Sequence, residues 1–273
     1  MTRIVCRQLA PTIGDLESNV RMSTAAVSQS VAAGAQLVIM PELVTAGYLF
    51  ESPEEARSVA VTPDHPVFEA WAKAVGDVGG VVVGGFAELG DDGFVYNSAA
   101  VVDGSGVLAV YRKDHLWDKE KLWFKPGSAV PPIVETPFGR LGILVCYDMT
   151  FPEMTRSVAL RGADLIVGPT NWPLFPHPEG EHPAVVAIVM AAALSNRVAI
   201  ACCDRSGTER GQEWTQGSCI INHNGEIVAT ANQDGIVTAD LDLTLSRDKR
   251  ISELNDSFGD RRPELYGAIT AAR

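Results

Sequence analysis

Three reactive groups stand directly after short apolar runs. Glu42 follows residues 36–40 and Pro41, Lys113 follows residues 107–111 and Arg112, and Cys146 ends the run 141–146. A thiolate attacks a carbonyl carbon. A carboxylate takes the thiol proton and later activates water, and an ammonium offers fixed positive charge to a developing oxyanion. In α/β folds such groups gather at the carboxyl ends of strands. Cys146 is followed by polar residues, Pro152 and a helical pattern, so its thiol sits at a strand-to-helix turn, where backbone N–H groups and a helix N-terminus favour a nucleophile. Each residue alone has an ordinary explanation: a packed thiol, a capping glutamate, a solvated lysine. Together they point to acyl transfer.

The elements that must position them alternate along the chain. Residues 3–9 predict a first strand. Asp15 caps a helix whose apolar positions Leu16, Val20, Val27 and Val31 recur at nearly helical spacing, and Gly34 closes it. A strand is expected over 36–40 and helical segments over 51–60 and 66–77, the latter with Val67, Ala70, Trp71 and Ala74 on one face. Strands at 81–86 and 96–102 flank an Asp91-Asp92-Gly93 turn, and 107–111 follows. Residues 114–132 read as a loop, 133–136 and 141–146 as a strand pair, 153–161 as a helix and 165–168 as a strand. Four prolines make 170–183 a long loop. A helix at 184–196 and a strand at 198–203 precede strands at 217–221, 227–230 and 236–240, with a hairpin turn at His223-Asn224-Gly225-Glu226. A last helix is expected over 243–254, then an extended tail over about 255–273. The alternation predicts one α/β domain over residues 1–273, built from two stacked sheets covered by helices.

Composition bounds the function. The 46% hydrophobic content suits a large core, and a net charge of −12 argues against nucleic acid and anionic membranes as partners. A small-molecule substrate fits better. The N-terminal residues lack a signal-peptide pattern, and no apolar run has the length of a membrane span. Five cysteines without framework spacing suggest reduced thiols in a cytoplasmic protein, and the absence of CxxC and HExxH patterns gives no reason to expect a metal or other cofactor.

The residues flanking the three groups carry a resemblance. Pro41-Glu42-Leu43, Tyr111-Arg112-Lys113-Asp114-His115-Leu116, and Cys146-Tyr147-Asp148 with Phe151-Pro152-Glu153 resemble, in order and distance, the three signature segments of the nitrilase, or carbon–nitrogen hydrolase, superfamily. Gly162-Ala163-Asp164-Leu165-Ile166, Ala193-Leu194-Ser195-Asn196-Arg197 and Gly217-Ser218 with Asn224-Gly225-Glu226 extend the resemblance over nearly the whole chain. It implies a four-layer α-β-β-α sandwich, a Glu42–Lys113–Cys146 triad, a second glutamate at Glu120 bonded to the lysine, and a homodimer or higher assembly formed through the outer helices. His115, inside the lysine segment, is given a structural role. The backbone N–H of Tyr147 is expected to join Lys113 in facing the oxyanion.

Within the superfamily, nitrilases usually follow the cysteine with Trp-Glu, whereas Tyr147-Asp148 resembles the amidase and carbamoylase branches. The arginine common before Phe-Pro-Glu is replaced here by Met149-Thr150. Asn171-Trp172-Pro173, the loop at 175–181, and Cys202-Cys203-Asp204-Arg205 look most like aliphatic-amidase members. The expected reaction is therefore hydrolysis of small aliphatic carboxamides through a cysteine thioester. The alternatives are an N-carbamoyl amine or amino acid amidohydrolase, for which Arg197, Arg205 or Arg210 would supply a cation, and a non-catalytic binding protein on the same fold. Tyr48, Trp117, Asn171 and Trp172 are candidate substrate-binding residues, with Tyr147 as a further aromatic wall.

Overall fold

The computed structural model describes residues 1–76 and 79–271. The strands are β1 (Thr2–Arg7), β2 (Leu37–Ile39), β3 (Val81–Leu89), β4 (Val95–Asp103), β5 (Gly106–Arg112), β6 (Ile133–Thr136), β7 (Gly139–Ile143), β8 (Leu165–Pro169), β9 (Ala199–Cys203), β10 (Thr208–Glu209), β11 (Gln212–Glu213), β12 (Cys219–Ile221), β13 (Ile227–Thr230) and β14 (Ile236–Leu241). The helices are α1 (Leu16–Ala32), α2 (Pro53–Ser58), α3 (Pro66–Val75), α4 (Glu120–Trp123), α5 (Pro152–Leu160), α6 (Ala184–Asn196) and α7 (Gly267–Thr270).

Two six-stranded sheets form, in the orders β14-β1-β2-β3-β4-β5 and β13-β12-β9-β8-β7-β6. Within each sheet the parallel pairs are β1–β2 and β2–β3, and β7–β8 and β8–β9. Helices bridge these pairs: α1, α3, α5 and α6 respectively. Parallel neighbours need such crossovers, and the crossovers cover the sheet faces. Strand periodicity then divides the side chains. In the first sheet Ile4, Cys6, Leu37, Ile39, Val81 and Val83 join the core shared with the second sheet. Their neighbours Val5, Val38 and Val82 pack with Val27, Phe68 and Trp71 of α1 and α3. α5 and α6 supply Val158, Val186, Val189 and Ala193 to the other side. The layers are thus α-β-β-α.

Most expected elements are present. Asp15 caps α1 by accepting from the Ser18 N–H. The end of the helix expected over 66–77 lies outside the described residues at Asp77. Two expectations fail near the C-terminus. The helix predicted over 243–254 is only a 3₁₀ turn over Leu243–Arg247. Ser246 Oγ there accepts from the Ala199 N–H, and Lys249 Nζ donates to the carbonyls of Asn196 and Arg197 at the end of α6. The segment is bonded to other elements rather than to itself. The tail is not extended either, since it forms a 3₁₀ turn at Pro263–Leu265 and then α7. Among the described residues no helix is long and apolar enough to cross a membrane.

Candidate active site

Each reactive residue sits just past a strand, held by local backbone geometry. Pro41 and Glu42 follow β2, and the Gly85 N–H donates to the Pro41 carbonyl at 3.0 Å. A Cβ at Gly85 would lie 2.2 Å from the Leu43 nitrogen and 2.6 Å from the Glu42 Cα. The glycine lets the glutamate turn lie directly on β3. Lys113 follows β5, tied by its N–H to the Asn97 carbonyl at 2.8 Å. Cys146 lies beyond β7 and opens a 3₁₀ turn over Cys146–Thr150, with φ at +47°. That conformation costs a non-glycine residue energy and persists only where the surroundings enforce it.

One enforcing group is Asp148, fully buried. It accepts from the Val145 N–H at 3.1 Å, from the Tyr111 hydroxyl at 2.9 Å and from the His115 N–H at 3.0 Å. His115 Nδ1 lies 2.9 Å from the same carboxylate, and its ring stacks on Phe151 at 3.9 Å. Asp148 therefore joins the lysine segment to the cysteine segment, and His115 has the structural place expected of it.

The ionisable groups converge. Lys113 Nζ donates to Glu42 Oε1 at 2.7 Å and to both Glu120 oxygens at 2.7 and 2.8 Å. Asn97 Nδ2 donates to the same Glu42 oxygen at 2.7 Å. Glu42 Oε2 is buried without a partner. Glu120, placed by sequence in a loop, lies in the single turn of α4 and is buried. Its Oε2 also accepts the Trp117 N–H at 3.1 Å.

The electrostatics follow from one cation shared by two buried carboxylates. Burial, reinforced by repulsion from Glu120, pushes the Glu42 carboxyl up to about 7 against the pull of Lys113. Burial opposes the Lys113 ammonium, yet Glu120 and Glu42 outweigh it and hold the lysine above its ordinary range. Burial and the Glu42 charge push the Cys146 thiol well up, while Lys113 and the Asn171 backbone N–H pull the other way. The resting thiol is protonated beside a carboxyl that titrates near neutrality. That pair is suited to moving a proton as the sulfur attacks.

The candidate substrate-binding residues divide. Tyr48 is a support, since its buried hydroxyl donates to Glu120 Oε1. Asn171 turns its side chain onto the Glu42 carbonyl at 2.8 Å and its backbone N–H toward the thiol. Trp172 is 4% exposed and joins the inter-sheet core. Trp117 is half-buried, and its ring meets Tyr147 at 4.9 Å and Phe175 at 6.5 Å, so these three aromatics form a wall. Asn97 escaped the sequence reading, and Asp204 figures there only within the segment Cys202-Cys203-Asp204-Arg205. Asn97 holds Glu42 from mid-strand, a position without any local signal. Asp204 accepts from the Trp172, Arg205 and Gly217 N–H groups, each at 2.9 Å, and its burial raises its carboxyl to about 6. Among the described residues no group of three or more His, Cys, Asp or Glu is arranged to hold a metal ion.

A thiol, a carboxyl and an ammonium at the strand ends of a two-sheet α-β-β-α sandwich define a hydrolase class. The chain belongs to the carbon-nitrogen hydrolase family, whose pattern matches residues 3–251, and it is a hydrolase acting on carbon–nitrogen bonds. It is 35% identical to a protein named nitrilase from Pyrococcus abyssi, over 97% of this chain and 99% of that one. It is 30% identical to the N-carbamoylputrescine amidase of Arabidopsis thaliana, over 93% and 91% of the two chains. Among solved structures it resembles a mutant of the amidase from Nesterenkonia sp. AN1 that shows Michael addition of acrylamide at the active site cysteine. There the TM-score is 0.78 at 26% identity, covering 97% of this chain and 98% of that one.

Proposed function

We propose that this protein is an amidase that hydrolyses small, uncharged aliphatic carboxamides to carboxylic acid and ammonia through a thioester at Cys146. The observation that carries the proposal is the Lys113 ammonium bound at once to Glu42 and Glu120, with Glu42 Oε2 left unpartnered. As the Cys146 sulfur bonds to the amide carbon, its proton passes to Glu42. The carbonyl oxygen gains the electron pair and is stabilised by Lys113 and the Tyr147 backbone N–H. Collapse of this intermediate breaks the carbon–nitrogen bond, and the proton on Glu42 leaves with the nitrogen as ammonia. Water then gives a proton to Glu42 and attacks the thioester. The carbon–sulfur bond breaks, the carboxylic acid departs, and the proton returns to the sulfur. Glu120 fixes Lys113 throughout and helps place the amide nitrogen.

The wall of Trp117, Tyr147 and Phe175 favours short acyl groups. The three arginines considered for a substrate carboxylate are engaged elsewhere. Arg205 pairs with Glu209 at 2.9 Å, Arg210 with Glu55 and Arg197 with Asn224. That disfavours N-carbamoyl amino acids. An N-carbamoyl amine needs no such cation and remains the second reading, supported by the likeness to N-carbamoylputrescine amidase. The test is ammonia release from short aliphatic amides, run beside nitriles and carbamoyl amines. Turnover of small amides supports the proposal. Carbon dioxide release from carbamoyl amines with no activity on simple amides would replace it.

We further propose a homodimer. Leu160, Ile188 and Ile269 are 39%, 36% and 57% exposed on α5, α6 and α7, where they line a groove of about 1030 Å³ bordered by α5, α6 and the tail. A second copy would cover this apolar face. The unpaired thiols fit a cytoplasmic location.

A further inference from the structure

Outside the reactive cluster lies a second buried ion pair, formed by Arg205 and Glu209, 1% and 5% exposed. Its two carboxylate oxygens have different tasks. Glu209 Oε2 accepts from Arg205 Nη1 at 2.9 Å, and Arg205 Nη2 donates to the Pro11 carbonyl at 3.1 Å. Glu209 Oε1 accepts two consecutive backbone N–H groups, of Tyr48 at 2.9 Å and Leu49 at 2.7 Å. Gly47, at φ +81°, lets the chain lie against this carboxylate: a Cβ there would come within 2.9 Å of Glu209 Oε2 and 2.5 Å of the Ile13 Cα. The same arginine lies 4.6 Å above the Trp214 ring, which meets the Tyr48 ring edge-on at 5.5 Å. Tyr48 is thus fixed by its backbone through Glu209 and by its ring through Trp214. Its hydroxyl bonds Glu120, and Glu120 bonds Lys113 with both oxygens.

We propose that Glu209, fixed by Arg205, is a positioning residue for the reaction: it clamps the 47–49 backbone so that Tyr48 holds Glu120, and through it Lys113, in place. This rests on the reading of Lys113 and Glu120 given above. Two charges removed from water need a reason to be there, because an apolar pair of equal volume is often as stable. Here the carboxylate supplies what an apolar residue lacks, an acceptor for two adjacent N–H groups on the segment that carries Tyr48. Displacing the tyrosine moves the ammonium relative to the oxyanion, so the effect falls on kcat rather than on KM.

The experiment is a double-mutant cycle on a small amide, with Glu209→Ala and Glu209→Gln each made alone and with Tyr48→Phe, and active enzyme counted by Cys146 alkylation. Glu209→Ala should lower kcat about tenfold with little change in KM, since small misplacements of a catalytic group cost this much or more. In the Tyr48→Phe background the same substitution should cost under about twofold, because the link it acts through is already cut. Glu209→Gln keeps one acceptor oxygen and should lose less, with the same dependence on Tyr48. It carries the cycle if the alanine variant does not fold. Equal fold-losses in both backgrounds, or a loss confined to KM, would overturn the positioning role. Glu120→Gln separates the two claims. If it retains full activity, the reading of the cluster fails and the positioning role with it. If it is impaired while the cycle is multiplicative, only the positioning role fails.

Discussion

Cys146 and the pair Cys202–Cys203 are the same residue type in the same interior. All three are buried, and burial is the largest cause holding each thiol well above its ordinary range. Acidity therefore does not single out the proposed nucleophile. Position does. Cys202 and Cys203 lie in the extended backbone of β9, and their neighbours include Cys219, Cys6 and Asp204. Cys146 stands past its strand at positive φ, among Glu42, Lys113 and Glu120. The reaction proposed above needs a base and a cation for the oxyanion beside the thiol, and Cys146 has Glu42 and Lys113 as such neighbours.

The largest expected contrast is between deleting the two kinds of thiol. Cys146→Ala should lower kcat by at least about a thousandfold, as loss of a nucleophile does. Cys203→Ala should leave kcat within about threefold and cost only packing stability, about 1 kcal/mol for a small buried group. Steady-state rates and thermal melts read both, and similar losses at the two positions would break the distinction.

Next comes the base. Glu42→Gln should lower kcat about a hundredfold or more, the size of a general-base contribution, while Cys146 stays in place. A rate within a few-fold of the unaltered enzyme would assign the proton transfer elsewhere. The pH profile sharpens the same point. With Glu42 titrating at about 7, kcat/KM should climb about tenfold per unit on the acid side and level above that value. An acid limb centred near 4.5 would mean that burial does not tune this carboxyl.

The smallest effect is on stability. Glu42 binds its proton more tightly folded, at about 7, than at its ordinary 4.5, so between these values the folded state holds more protons than the unfolded one. The contribution is present below about 4.5 and is lost as pH rises through 7. Relative to Glu42→Gln, the unaltered protein should therefore lose melting temperature between pH 4.5 and 8. A Tm difference constant over that range would contradict the shift.

The same contrast explains how much was legible in the chain. Glu42, Lys113 and Cys146 each follow a run of β-branched or aliphatic residues, and strand ends are local features, so the cluster and the two-sheet fold could be read. Glu120 came from the resemblance and falls in a turn whose composition looks like a charged loop. Tyr48 reads as a substrate-binding aromatic because aromatic character is visible in sequence and a hydroxyl's partner is not. Asn97 and Glu209 act across the fold, through hydrogen bonds to residues far along the chain, and no spacing announces them. The mistaken helix at 243–254 has the same cause: Ser246 and Lys249 bond to β9 and to the end of α6, and these contacts override a helical pattern.

The most direct test of a thioester at Cys146 is intact-mass spectrometry of enzyme acid-quenched during turnover of a short aliphatic amide, with peptide mapping of the adduct. The expected result is an added acyl mass on the peptide containing Cys146, absent from Cys146→Ala. Full turnover by Cys146→Ala, or an acyl group mapped to any other residue, would contradict it.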